Sequence, residues 1–325
     1  MATGSAAGGE PVVVPGSIGN LGSGFDTLGV AVQIYLRARI VDVQHDAGSK
    51  LVVVRSEPPV RGGNAIERAF YTLARRTGRQ APTVFVEVDS DIPMAAGLGS
   101  SAAATIAGLR VFERITGPVA DHVLLGTAAT CEGHADNAAP ALFGGLTSVI
   151  DRDGADPLVL RWRWPEELQL VVATPATKLA TAKARAALSD VVPRRDAIFN
   201  LQRALAFMHA LQHGEFEVLR EAVRDRWHQP ARAAFVPLLD EVLDIREPEV
   251  LGAFLSGAGP SIALIARRGH AQRVEQVLAS TYARAGIEAR VRTLNVHEES
   301  EVVADAGLRQ GYGGQAAASA QGRTV

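Results

Sequence analysis

The alternation of apolar and polar positions sorts the chain into short strands and amphipathic helices. "TVFVEVD", residues 83–89, puts Val84, Val86 and Val88 on one side and reads as a half-buried strand. "LVVVR" (51–55), "LQLVVAT" (168–174) and "SIALIAR" (261–267) are apolar or β-branched runs of strand length. Two stretches carry the helical period instead. "NAIERAFYTLARRTG" (64–78) is amphipathic and closed by Gly78. Residues 196–214 repeat apolar side chains at Ile198, Leu201, Leu205 and Met208 before Gly214 stops the pattern. Strands and helices interleave without the strict rhythm of a doubly wound sheet, which predicts an α+β fold. The polar stretch "DRDGADP" (151–157) is the clearest break, and a domain boundary is expected near residue 160.

Length and charge narrow the picture. A chain of 325 residues exceeds most single cores and predicts two domains, over 11–160 and 161–305, or one large one. A net charge of −2 gives no reason to expect nucleic acid or an anionic membrane as partner. No apolar run reaches the ~18 residues of a membrane span. Residues 1–10 lack the basic and apolar segments of a signal peptide and read as a disordered leader. Residues 306–325, rich in Gly, Ala and Gln, read as a disordered tail. The single cysteine, Cys131, excludes an internal disulfide and fits a reducing cytoplasm. Beside Glu132 it reads as a small buried hydrophobe and not as a nucleophile.

The chemistry concentrates in "DIPMAAGLGSSAAATIAG" (91–108). Gly97-Leu98-Gly99-Ser100-Ser101-Ala102 satisfies the dinucleotide pattern G-x-G-x-x-A, but seven residues separate it from the strand end and no second strand follows in place. A helix start capped by Ser100 or Ser101 is the plainer reading. A third is an anion cradle, with glycines admitting close approach and unpaired helix-start amides facing a phosphate. Lysine occurs only at 50, 178 and 183, which excludes a Walker-type loop here.

"PMAAGLGSSAAA" resembles the second signature of the GHMP kinases, P-x-x-x-G-L-G-S-S-A-A. "PGSIGNLGSGFDTLGVA" (15–31) and "LSGAGPSIALI" (255–265) are similar to the first and third motifs, in the family's order. "EGHADNAAPALFGGL" (132–146), "TAKARAAL" (181–188), "RRDAIFN" (194–200) and "DRWHQPAR" (225–232) resemble the homoserine kinase branch of that family. The resemblance spans about residues 11 to 305. It implies the two-domain GHMP fold, a ribosomal-protein-S5-like nucleotide domain followed by an α/β-plait-like domain. It also implies ATP and Mg2+ as cofactors, L-homoserine as acceptor and a cytoplasmic enzyme, and it allows a homodimer without requiring one.

The same resemblance distributes roles. Pro93, Ala95, Ala96, Gly97, Leu98, Gly99, Ser100, Ser101 and Ala102 would form the phosphate loop, and Asn64 the adenine pocket or a plain helix cap. Ser101 and Glu132 would hold Mg2+, a hard ion that takes oxygen ligands. Arg185 and Arg232 would meet the acceptor carboxylate, for which the planar guanidinium suits. Asp26 and Asp136 would take the ammonium, with Asn20, His134 and Thr181 as polar contacts. Asn137 stands where other GHMP kinases place an aspartate base, which implies transfer without a dedicated base, the amide orienting the hydroxyl. The third motif, Gly257-Ala258-Gly259-Pro260, would steady the phosphate loop. Gly16, Ile18 and Gly19 depart from the usual P-A-T-S-A-N form and are expected to loosen the approach to Asn20. The rival readings are a GHMP kinase with a mevalonate-like acceptor and a non-catalytic metabolite-binding relative.

Overall fold

The computed structural model describes residues 9–45, 48–59 and 64–298. The proposed leader, up to residue 8, and the tail lie outside the described residues, as do residues 299–305. The first half runs β1 (Val12–Gly19), β2 (Leu28–Gln44), β3 (Leu51–Glu57), α1 (Ala65–Thr77) and β4 (Thr83–Ser90). It continues through α2 (Ser100–Thr116), α3 (Asp121–Glu132), α4 (Ala138–Phe143), β5 (Leu146–Arg152) and β6 (Ala155–Trp162). The second half runs β7 (Leu168–Pro175), α5 (Thr181–Ala186), α6 (Arg194–His213), α7 (Leu219–Ala222), α8 (His228–Arg232) and α9 (Leu239–Leu243). It closes with β8 (Val250–Leu255), β9 (Ile262–Arg267), α10 (Ala271–Arg284) and β10 (Ala289–Leu294).

The strands form two sheets, ordered β3-β4-β2-β5-β6 with β1 also paired to β2, and β10-β7-β9-β8. Only β3 and β4 run parallel, with α1 as their crossover; the other pairings are antiparallel. One unit of this kind among hairpins explains why the chain lacks a doubly wound rhythm. The stretch at 151–157 is not a linker. Its Asp153-Gly154 pair turns the β5–β6 hairpin, closing where Arg152 faces Ala155. The change of sheet comes between Trp162 and Leu168.

Both faces of the second sheet are buried along β7, β8 and β9, which is why those strands read as apolar runs, unlike the edge strand β10. Leu170 and Val172 of β7 join a large core that also holds Val14, Leu98, Phe112 and Phe207. Val171 and Ala173 join a smaller core beneath Val274, Leu278 and Tyr282 of α10. Helix α2 is apolar on most sides because it is packed on most sides; a Cβ on Gly108 would stand 2.2 Å from the Ile66 carbonyl oxygen of α1. Helix α6 departs from the simplest expectation. Its repeat at Ile198, Leu201 and Leu205 faces solvent (Leu201 62% and Leu205 66% exposed), while Phe199, Phe207, Ala210 and Leu211 are buried. Two apolar stripes share one helix, and the aromatic one wins the core because it offers more area to bury. Beyond β10 the chain returns to the first sheet: Gln33 N donates to Asn295 O, His297 N to Ala31 O and Gly145 N to His297 O. No described helix is long and apolar enough to cross a membrane.

Candidate active site

A cleft of about 410 Å³ opens between the two halves of the molecule. The first half contributes Asn20, Asp26, Arg68, the loop from Ala95 to Ala102, and Cys131 to Asn137; the second contributes residues around Thr181 and Arg185, Arg232 and Gly257-Ala258. The floor is the start of α2. The cap residue is Gly99, and no side chain caps the helix, so the serines are not spent as caps and the first-turn amides stay available.

The glycines of this loop serve the protein's own packing. Gly97 and Gly99 take left-handed backbone, with φ of 79° and 73°. A Cβ on Gly97 would meet the Ser256 carbonyl oxygen at 2.2 Å, and one on Gly99 the Ser17 hydroxyl at 2.1 Å. The loop is thus pressed between β1 and the third motif, and Ser256 Oγ donates to Gly97 O at 2.7 Å. Ser17 N donates to Leu98 O, and Ser261 N to Ala96 O. Pro93, Ala96 and Leu98 do not line the cleft; the Ala96 and Leu98 side chains are buried instead. Ala95, Gly97, Gly99, Ser100, Ser101 and Ala102 do line it.

A second, largely apolar cavity of about 190 Å³ adjoins the first. Asn64, Leu36, Ile92 and Met94 line it, and Ser100 and Ser101 border both cavities. Asn64 also caps α1, its Oδ1 accepting from Ile66 N at 2.9 Å, so it has both of its expected roles open.

The acceptor side is built on the loop after β1. Asn20, Leu21 and Asp26 adopt positive φ (73°, 45° and 52°), a conformation that non-glycine residues hold only when their surroundings enforce it. Asn20 supplies the enforcement: Oδ1 accepts from Asp26 N at 3.0 Å and Nδ2 donates to Gly257 O at 2.9 Å. β1 is bulged between Pro15 and Gly16 but stays paired with β2 through Gly19. Arg185 forks onto Asp26, with bonds of 2.9 and 2.8 Å. Two residues expected to meet opposite ends of a substrate therefore hold each other.

Asp136, 1% exposed, accepts from both neighbours: His134 Nδ1 reaches Oδ1 at 2.5 Å and Asn137 Nδ2 reaches Oδ2 at 3.1 Å. Burial opposes a charged His134 ring, but the bond to Asp136 and the carboxylates of Asp136 and Asp26 outweigh burial and Arg185, so its pKa lies above the ordinary histidine value. Asn137 Oδ1 accepts in turn from Ser17 Oγ at 3.1 Å.

Arg232 is 2% exposed, and no carboxylate lies within ion-pair distance of it among the described residues. Its guanidinium donates instead to neutral acceptors, from Nε to Ala184 O at 3.3 Å and from Nη1 to Gly257 O at 3.1 Å. Burial, reinforced by Arg185, lowers its pKa. Glu132 is a nearly buried carboxylate (side chain 9% exposed) that accepts from Thr105 Oγ1 at 2.6 Å, with Arg68 Nη2 at 3.9 Å. Cys131 is partly buried: it packs against the large core as a small hydrophobe would, and also lines the cleft. Ser17, Arg68 and His228 were missed by motif reading. His228 alone had a readable signal, lying four residues before Arg232 on one short helix.

Comparison with known proteins agrees with this geometry. Residues 64–145 match the GHMP kinases N terminal domain, and residues 207–284 the GHMP kinases C terminal domain. The chain is 38% identical over 288 residues to a homoserine kinase of Thermus thermophilus, covering 88% of this chain and 95% of that one. It is 39% identical over 275 residues to a homoserine kinase of Solibacter usitatus, covering 81% and 88%. The crystal structure of homoserine kinase from Cytophaga hutchinsonii superposes with a TM-score of 0.79 at 24% identity, over 92% of this chain and 98% of that one, a likeness of fold. With those identities sustained along nearly its whole described length, the chain belongs to the homoserine kinase family of the GHMP kinases.

Proposed function

We propose that the chain transfers the γ-phosphoryl group of ATP to the side-chain hydroxyl of L-homoserine, the step that yields O-phospho-L-homoserine on the route to threonine. The observation that carries this reading is one cleft joining an uncapped helix start to Arg185 and Arg232 and to the carboxylates of Asp26 and Asp136. An α-amino acid brings both charges, and mevalonate has no ammonium for Asp26 and Asp136. Arg232, buried without a carboxylate, suits the substrate carboxylate, because an unneutralised buried cation gains most from an anionic ligand. The Arg185–Asp26 pair can open to a zwitterion without stranding either charge, since the substrate offers an ammonium to one and a carboxylate to the other.

The apolar cavity beside Asn64 and Met94 suits the adenine, and the shared wall at Ser100 and Ser101 leads the phosphates over the start of α2 into the acceptor cleft. The oxygens of Ser101 and Glu132 fit a divalent ion: a hydroxyl and a nearly buried carboxylate are hard donors at the phosphate end of the cleft. Mg2+ held there would neutralise charge on the β- and γ-phosphates. Transfer forms the new O–P bond as the bond to ADP breaks, and the hydroxyl proton passes to the transferred phosphoryl group. Support for a base-free step comes from the hydrogen bonds: both oxygens of Asp136 already accept, from His134 and Asn137, and Asn137 is an amide. The reading also expects a cytoplasmic enzyme with small-molecule partners.

A coupled ADP-release assay over homoserine, mevalonate, shikimate and threonine tests the acceptor. Turnover of mevalonate and not homoserine overturns the proposal. In the same assay, a carboxylate limb in the pH profile of kcat overturns the base-free step.

A further inference from the structure

Beside Arg232 lies a residue to which no motif assigns a task. His228 opens α8, and its ring is wholly buried. Its Nε2 stands 2.8 Å from the Gly22 carbonyl oxygen, and its Nδ1 3.2 Å from Arg232 Nη1. A carbonyl only accepts and a guanidinium only donates. The two contacts therefore fix the ring: Nε2 carries the proton, and Nδ1 turns its lone pair to Arg232. A doubly protonated ring would set N–H against N–H.

The surroundings hold that state. Phe25 stacks on the ring with centroids 5.1 Å apart and planes at 22°. The charged groups around it are Asp225 from the turn before α8, at 3.8 Å from Nε2, Arg232 from α8, and Asp26 from the loop after β1. Burial pushes the His228 pKa down, with Arg232 acting in the same direction and Asp225, the Gly22 carbonyl and Asp26 against it. The loop is also packed against the end of α7, just before the turn that leads into α8. A Cβ on Gly22 would stand 2.0 Å from the Val223 carbonyl oxygen, and Ser23 Oγ donates to Ala222 O at 3.0 Å.

We propose that His228 is a positioning residue for the acceptor carboxylate: a neutral imidazole that aims the Arg232 guanidinium without neutralising it, and ties it to the loop carrying Asp26. The inference rests on Arg232 being the carboxylate site. An acidic side chain at 228 would form an ion pair and use up the charge the substrate needs. An apolar one would leave Nη1 with Gly257 O alone and free the guanidinium to turn. A neutral nitrogen acceptor avoids both outcomes.

The full-length variants His228→Asn, His228→Asp and His228→Leu test this against the unaltered chain. The acceptors are homoserine and the amino diol that carries an alcohol in place of the carboxylate. Asn places an amide oxygen near the position of Nδ1 and keeps the homoserine KM within about threefold. Leu raises the homoserine KM about ten- to a hundredfold while kcat and the ATP KM stay close to the unaltered values. Asp also raises the homoserine KM, although it restores a hydrogen bond, because its charge cancels that of Arg232. For the diol, all three variants match the unaltered chain.

An unchanged homoserine KM in Leu or in Asp overturns the proposal. So does a parallel rise for ATP or for the diol, which would mark a merely structural role. Should the Leu variant not fold, the contrast between Asn and Asp carries the test. Absence of any homoserine turnover by the unaltered chain defeats the proposed function and this inference with it. Turnover that is insensitive to residue 228 defeats this inference alone.

Discussion

A methyl group on Gly19 would stand 2.5 Å from Asp136 Oδ2 and 2.6 Å from Asn137 Nδ2. The departure from the usual motif thus makes room for two site side chains to lie against the backbone of β1. Gly19→Ala is expected to displace both and lower kcat/KM for homoserine by about tenfold, with the fold intact by circular dichroism. His134 of the cleft and the buried His228 behind it titrate in opposite senses. His134 has a raised pKa, so its contribution to stability is complete below the ordinary value of 6.5 and is lost as pH rises through the raised one. The Tm difference between the unaltered chain and His134→Gln should therefore shrink as pH is raised from about 6 to 9. His228, with a lowered pKa, loses stability in the other direction, as pH falls below 6.5. The motif positions Asn20, Asp26, Asp136 and Arg232 were legible because each sits in a contiguous signature. Ser17 and Arg68 were not: Ser17 lies inside the first motif, but only the fold brings its hydroxyl to Asn137, 120 residues away.

Helix α6 shows where periodicity stops being informative at the level of an element. Its ends were readable to within two residues, from the pattern and from Gly214, but the inward face was not. Ile198, Leu201 and Leu205 keep helical spacing as well as Phe199, Phe207 and Leu211 do, and only the neighbouring sheet decides between them. Leu201→Glu should change the unfolding free energy by less than about 0.5 kcal/mol, as surface substitutions do. Phe207→Ala should cost about 3–5 kcal/mol by opening a cavity in the large core. Denaturant unfolding of the two variants checks the assignment, and equal losses would contradict it. The strands at 83–90 and 168–175 were legible because burial on one or both faces leaves a plain imprint on composition, whereas the one at 51–57, buried only at Leu51, was legible from its β-branched run alone. The hairpin at 151–157 was mistaken for a break because a polar turn and a polar linker share the same residues.

Across the whole molecule, the two sheets share one continuous apolar cluster, in which Leu170, Val172, Phe254 and Ile265 of the second half join residues of the first. The chain is therefore expected to melt in a single calorimetric transition with equal calorimetric and van't Hoff enthalpies. Two resolved transitions would show that the halves are independent. The returning segment after β10 reinforces the coupling and also bears on the order of assembly. Gln33 reaches Val296 across 263 positions of sequence, beside the bonds that join Ala31 and Gly145 to His297. During synthesis β2, already paired with β1 at Ala31 and Val32, must wait for its remaining partners, Asn295 to His297, until the chain has been made through those residues. The half that is made first is consequently finished last, and the cleft, which also takes lining from Arg185, Arg232 and Gly257, cannot be completed before the second half is made.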